Sequence, residues 1–320
     1  MAEIATPVSA GRLKLAALAP RSESPVLRSF LRTPSAMIAA FVLTCLALTA
    51  LLAPWLAPFD PFDPANVSLI DAMTPPLWMR DGNPDYLLGT DDQGRDILST
   101  VMFGLRISMT VGVAAVVVAM TLGVVIGLIA GYAGGWFESL TMRIVDIQLT
   151  IPSILLALMI DGVTRVVASR ELQAEIAIYA VIAAIGFASW PPFARVARSR
   201  ALVERNKEYV QAARIIGVAP LRILLSHILP NAIAPVLVIA TIDLGLAVLA
   251  EAALSFLGVG MPPTQPSLGT MIRIGGNHLF SGKWWIFMTP ALTLVMIVLS
   301  VNILGDWLRD ALNPKMRRRV

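Results

Sequence analysis

The chain has 320 residues, of which 57% are hydrophobic and 14% charged, and its formal net charge is +4. A mean hydropathy of +0.75 excludes an ordinary soluble domain, and the small positive charge needs no nucleic acid, because anionic lipid head groups account for it. The single Cys45 rules out an intramolecular disulfide and a Cys-based metal site, and two histidines as distant as His227 and His278 argue against structural zinc, so no metal is expected.

In chain order, residues 1–35 carry Arg12, Lys14, Arg21, Arg28 and Arg32 among Ser, Pro and Ala, and read as a flexible basic tail at the membrane surface. Apolar segments close to the about 20 residues that cross a bilayer then recur at roughly 36–57, 108–132, 144–166, 176–190, 232–259 and 284–306. The polar leader before the first is long for a signal peptide, so that span reads as an uncleaved anchor. It leaves the membrane through Pro54-Trp55-Leu56-Ala57-Pro58, with Trp55 as an interfacial anchor. The predicted divisions are a tail, 1–35, and a segment, 36–107, holding the first span, an acidic external loop and an interfacial helix. A core follows over 108–306, containing the other five spans and a loop at 193–231, and a basic tail closes the chain at 307–320.

The external segment 59–96 carries Asp60, Asp63, Asp71, Asp81, Asp85, Asp91, Asp92 and Asp96. Asp-Asp-Gln-Gly-Arg-Asp at 91–96 lacks the alternating oxygen ligands of an EF-hand, which leaves a solvated acidic loop. Gly89 to Asp96 mimics P-loop spacing, but Arg95 and Asp96 stand where Lys and Ser/Thr would bind phosphate and magnesium. No other stretch offers a P-loop, so any ATP is hydrolysed on another polypeptide. Ile97, Leu98, Val101, Met102 and Leu105 share one stripe, predicting a short helix on the outer surface before the chain turns inward. In the second span Ala119, Gly123, Gly127 and Gly131 recur every four residues, a groove that another helix backbone can approach.

Polar groups at membrane depth are costly and have to be accounted for. Asp146, Gln148 and the kinking Pro152 fall in the third span, with Asp161 near its outer end. The fourth ends at Pro191-Pro192. Asp243 and Glu251 fall in the fifth, eight residues and therefore about 80° apart around a helix. Either substrate contact and proton relay or plain interhelical hydrogen bonding would explain Asp146, Asp243 and Glu251.

Between the fourth and fifth spans, Phe193 to Asn231 holds Arg195, Arg198, Arg200, Arg205, Lys207, Arg214 and Arg222. Asn206 can N-cap a short helix with Glu208 in its first turn. Gly217 suits a left-handed residue ending that helix, and Pro220 prevents its continuation. Residues 221–228 supply a second apolar turn or two before Pro230. Such a basic, apolar-tipped projection is either a docking element or a loop resting on lipid head groups. With the N-terminus inside, 18 of the 25 Lys and Arg residues lie on the inner side, so both termini are expected in the cytoplasm. Trp284 and Trp285 mark the outer interface of the last span.

Four stretches resemble one family. Gln211-Ala212-Ala213, then Gly217, then His227-Ile228-Leu229-Pro230 is similar to the EAA loop of ABC importer permeases, with Gln211 replacing the Glu and His227 the Ile of that pattern. The run Leu88-Gly-Thr-Asp-Asp-Gln-Gly-Arg-Asp with Ser99, Gly104, Arg106 and Ser108 resembles the region before the permease core of dipeptide and oligopeptide importers. So do Glu251-Ala-Ala-Leu-Ser-Phe-Leu-Gly-Val-Gly with Pro262, Pro263 and Gly269, where Leu268 replaces a common Trp, and the ending Leu304-Gly-Asp-Trp-Leu-Arg-Asp-Ala-Leu-Asn-Pro. The resemblance implies an all-α, six-helix membrane bundle of the type I ABC importer permease kind, in a bacterial inner membrane. It implies a path for peptides or similar small solutes, worked by alternating access. The implied partners are a second permease chain, two ATP-binding-cassette subunits carrying ATP and Mg, and an external solute-binding protein. The chain itself would be neither an enzyme nor a cofactor carrier. Glu208, Gln211, Ala212, Ala213, Gly217, His227, Leu229 and Pro230 would couple it to the ATPase. The rival is a proton-coupled transporter using Asp146, Asp243 and Glu251, which leaves the long cytoplasmic loop unexplained and lacks an inverted repeat. An intramembrane enzyme would need a nucleophile and base at depth, whereas His227 lies in the loop, His278 outside, and the sequence around Asp161 and Gly162 suggests no catalytic dyad.

Overall fold

The computed structural model describes residues 25–63, 67–167 and 170–312. In order, the helices are α1 Pro25–Leu31, α2 Pro34–Leu56, α3 Ile97–Ala133, α4 Gly135–Thr150, α5 Ser153–Val167 and α6 Arg170–Glu204. There follow α7 Glu208–Ile215, α8 Pro220–Ile223, a π-helical turn Leu224–Ile228, α9 Leu229–Phe256, α10 Leu268–His278 and α11 Trp284–Leu312. Among the described residues, five helices are long and apolar enough to cross a membrane, or six when the bent α4–α5 pair is counted as one span.

Several predicted boundaries change. Residues 97–107 are not a separate interfacial helix. Asp96 N-caps α3, its carboxylate accepting from the Ser99 N–H at 2.8 Å and the Ser99 hydroxyl at 2.6 Å, and the apolar stripe then runs unbroken into the span as 37 residues. The third span is two helices bent by 91° at Pro152, because Ile151, the residue before the proline, is extended. The fourth continues through Pro191-Pro192 to Glu204. Residues 25–31, expected to be flexible, form α1, and Phe30 sits edge-on to Trp307 at 5.1 Å. Helix α11 extends to Leu312, into the expected C-terminal tail. The basic residues at 12, 14, 21, 315 and 317–319 lie outside the described residues.

The acidic external segment is not solvated where it meets α3. Thr90, Asp91, Arg95 and Asp96 are all buried, and burial pushes the Asp96 carboxyl up against the bonds from Ser99 that pull it down. Arg95 Nε pairs with Asp91 at 2.7 Å, and its Nη1 donates to the Pro263 carbonyl at 3.1 Å. The indole of Trp285 donates to the Thr90 carbonyl at 3.3 Å. Trp285 is accordingly a core residue, and only Trp284 stays exposed. This knot ties the start of α3 to the 257–267 turn and to the start of α11.

The glycine stripe of α3 lies on the backbone of α6. A Cβ on Gly123 would stand 2.5 Å from the Trp190 carbonyl, one on Gly127 2.3 Å from that of Ala194, and one on Gly131 2.8 Å from that of Arg198. With no side chain between them the two helices close over Val111, Ala115, Ala119, Phe193, Ala197 and Ala201, which are all buried.

Candidate coupling loop and membrane carboxylates

Helix α7 starts one residue later than expected. Its N-cap is Lys207, with no side-chain cap, because the Asn206 amide donates to the Leu202 carbonyl behind it at 3.1 Å. Glu208 stands exposed in the first turn, where a carboxylate suits the helix dipole. The helix ends in a Schellman motif: the Val218 N–H reaches the Ala213 carbonyl at 3.0 Å and the Gly217 N–H that of Arg214 at 3.1 Å. Gly217 has φ +78°, and a Cβ there would meet nothing within 4 Å. Its backbone conformation, not crowding, therefore selects glycine. Pro220 opens α8 at its first turn, and the chain passes through the π turn into α9, so Pro230 lies within a continuing helical path.

One face of the loop is anchored and the other presented. Val210, Ala213, Ile223 and Ile228 are buried in the core, and Leu229 packs against it. Gln211, Ala212 and Pro230 are exposed, and Ile215, Ile216, Leu221 and Leu225 form an apolar tip, with Ile215 86% exposed. The Arg214 guanidinium lies 4.6 Å from the Tyr132 ring centre. The root of the loop turns on Glu204, which is buried. It accepts from Lys207 at 2.7 Å and from the Tyr209 hydroxyl. Tyr209 in turn accepts from Asn231 at 3.1 Å, and its ring stacks on His227 at 6.3 Å. Burial and the Glu204 carboxylate push the Tyr209 phenol up to about 12, so it remains a donor at neutral pH. Glu204, Tyr209 and Asn231 escaped the sequence reading, because their separations follow no single helical period.

The three carboxylates proposed for a path are not brought together. Asp146 pairs with Arg195 at 2.7 Å across α4 and α6, with both side chains more than half exposed. Glu251 is fully buried, accepting from the Ser108 hydroxyl at 2.6 Å and the Ser255 hydroxyl at 2.7 Å. Ser108 accepts from the Leu268 N–H at 3.3 Å and Ser255 from the Met261 N–H at 2.9 Å, so Glu251 ties α3, α9 and the turn into α10. Asp243 is half-buried, and its Oδ2 is enclosed without a hydrogen-bond partner. Gln148, the other polar group in this part of the chain, donates to the Phe187 carbonyl at 2.8 Å.

Residues 123–318 match the family described as binding-protein-dependent transport system inner membrane component, and residues 25–76 match the N-terminal TM domain of oligopeptide transport permease C. The chain is 37% identical over 289 residues to the dipeptide transport system permease protein DppC of Haemophilus influenzae, covering 90% of this chain and 93% of that protein. It is 36% identical to the di/tripeptide transport system permease protein DppC of Pseudomonas aeruginosa, covering 91% of each. It is 38% identical to the dipeptide transport system permease protein DppC of Escherichia coli, covering 90% and 92%. Its fold is similar to a chain solved in inward facing conformations of the MetNI methionine ABC transporter, with TM-score 0.51, 20% identity and coverage of 67% and 97%. These matches set aside the proton-coupled reading. The chain belongs to the binding-protein-dependent transport system inner membrane components, as a multi-pass permease subunit of an ABC importer with the type I permease fold.

Proposed function

We propose that this chain pairs with a second permease subunit, most simply a different chain, to form the path by which di- and oligopeptides enter the cell. The observation that carries the cargo class is its likeness over nine-tenths of its length to permeases named for dipeptides and di/tripeptides. A solute-binding protein delivers the peptide outside, and two ATP-binding-cassette subunits bind ATP and Mg inside. This chain holds no cofactor and does no chemistry. Both termini and the 193–231 loop face the cytoplasm, in keeping with the distribution of Lys and Arg.

Gln211, Ala212 and the tip at Ile215, Ile216 and Leu221 enter a groove on the ATPase, while Glu208 and Gly217 set the geometry of the projection. Motion of that tip reaches α6 through Glu204 and Tyr209, and α9 through His227, Leu229 and Pro230. Closure of the ATPase pair then rocks the bundle between its outward and inward states. Asp146 and Glu251 hold helices together, and Asp243 is the carboxylate left for the path.

Uptake of a labelled dipeptide into proteoliposomes holding both permease chains, the ATPases and the binding protein tests this reading. ATP-dependent accumulation that unlabelled dipeptide abolishes supports it. Accumulation of other solutes but no peptide refutes the cargo assignment, and accumulation driven by a proton gradient without ATP refutes the mechanism.

A further inference from the structure

A cleft of about 500 Å³ opens between the C-terminal part of α6, the N-terminal part of α9 and the end of α11. Its walls include Val196, Pro235, Val238, Ile239 and Leu312, and two arginines, Arg200 and Arg309, line it as well. Both arginines are exposed, and among the described residues neither forms an ion pair. Glu204, one helical turn from Arg200, is hydrogen-bonded to Lys207 and Tyr209 and also feels the Arg200 charge, whereas Asp306 and Asp310 are not among the residues that line the cleft.

We infer that this cleft binds an anionic phospholipid, the acyl chains lying against the apolar walls and the phosphate held by Arg200 and Arg309. Depth supports this occupant. Helix α6 ends at Glu204 and α9 begins at Leu229, flanking the basic loop, and the end of α11 lines the same cleft. This puts the cleft where a head group would lie, and basic pockets between helices on that side suit acidic head groups. Charge supports it as well. Guanidinium groups bind phosphate through paired N–H donors, and an apolar wall beside two exposed arginines matches an amphiphile better than a free anion. The inference is independent of which solute is carried.

The test is lipid retention by the assembled transporter, with its partner subunits, after exchange into detergent containing equal phosphatidylglycerol and phosphatidylcholine, read by native mass spectrometry. Wild type should keep phosphatidylglycerol in preference. Each basic residue near a membrane surface changes affinity about fivefold, so R200Q/R309Q should weaken retention by about twenty-five-fold. Arg143→Gln, an exposed basic residue outside the cleft, should leave it unchanged. Val238→Trp, which fills the cleft while keeping both arginines, should abolish retention, separating a cleft from general surface charge. Equal retention of the two lipids, or an equal loss in Arg143→Gln, would overturn the proposal. So would displacement of the lipid by millimolar dipeptide, which would make the cleft part of the cargo route.

Discussion

Gln148 Nε2 donates to the Phe187 carbonyl at 2.8 Å, and that carbonyl is the one that Pro191, four residues on, cannot serve. A proline inside a helix removes the bond to residue i−4, and in lipid no water replaces it. The amide of α4 therefore takes over a backbone bond of α6, and the helix runs on through Pro191 and Pro192 to Glu204.

This relationship predicts a coupling. Gln148→Leu should destabilise the purified protein by about 1–2 kcal/mol. In a Pro191→Ala background, where the helix supplies its own N–H, the same substitution should cost markedly less. A double-mutant cycle on thermal unfolding in detergent measures the difference. Additive effects would show that Gln148 acts through something other than the Phe187 carbonyl.

Glu251 is fully buried and bridges Ser108 to Ser255. If it is a fastener, Glu251→Gln keeps a hydrogen-bonding group in place and should leave ATP-driven uptake within about threefold of wild type, whereas Glu251→Ala strands both hydroxyls at about 1–3 kcal/mol for each group left unsatisfied. Uptake assays beside thermal stability separate the roles. A stable Glu251→Gln protein that no longer transports would restore the relay reading.

Gly127 has its would-be Cβ 2.3 Å from the Ala194 carbonyl. Gly127→Ala should push α3 away from α6 and cost about 1–3 kcal/mol, as overpacking does. Gly276→Ala, with open space around it, serves as the control and should lower the unfolding temperature little. Equal shifts in the two variants would remove the close approach as the reason for the stripe.

Much of the architecture is local and was legible in the sequence. Apolar runs of bilayer length placed the spans, and the four-residue stripe from Ala119 to Gly131 announced a close helix contact without naming α6. Gly217 read as a left-handed terminator because only glycine takes φ +78° cheaply. Local rules failed where a distant residue supplied what they assume to be missing. Pro191-Pro192 read as a stop, but the remedy, Gln148, lies 39 residues away. Asp91 and Arg95 read as solvated because charge usually is, yet the two are buried against each other and Arg95 also reaches the Pro263 carbonyl. Asn206 looked like a cap, but its amide turned back to Leu202. The root of the loop was invisible for a similar reason, since Glu204, Tyr209 and Asn231 meet only once α6, α7 and α9 are assembled.

The proposed transfer of force between the ATPase and this chain runs through the 193–231 loop. Gly217→Pro tests it most directly, because proline fixes φ near −65° and removes the N–H that reaches the Arg214 carbonyl. The measurement is ATP hydrolysis by the reconstituted complex with and without loaded binding protein. Stimulation by the binding protein should fall at least tenfold, while the helical content and unfolding temperature of the membrane bundle stay near wild type. Undiminished stimulation in a complex that still assembles would contradict it.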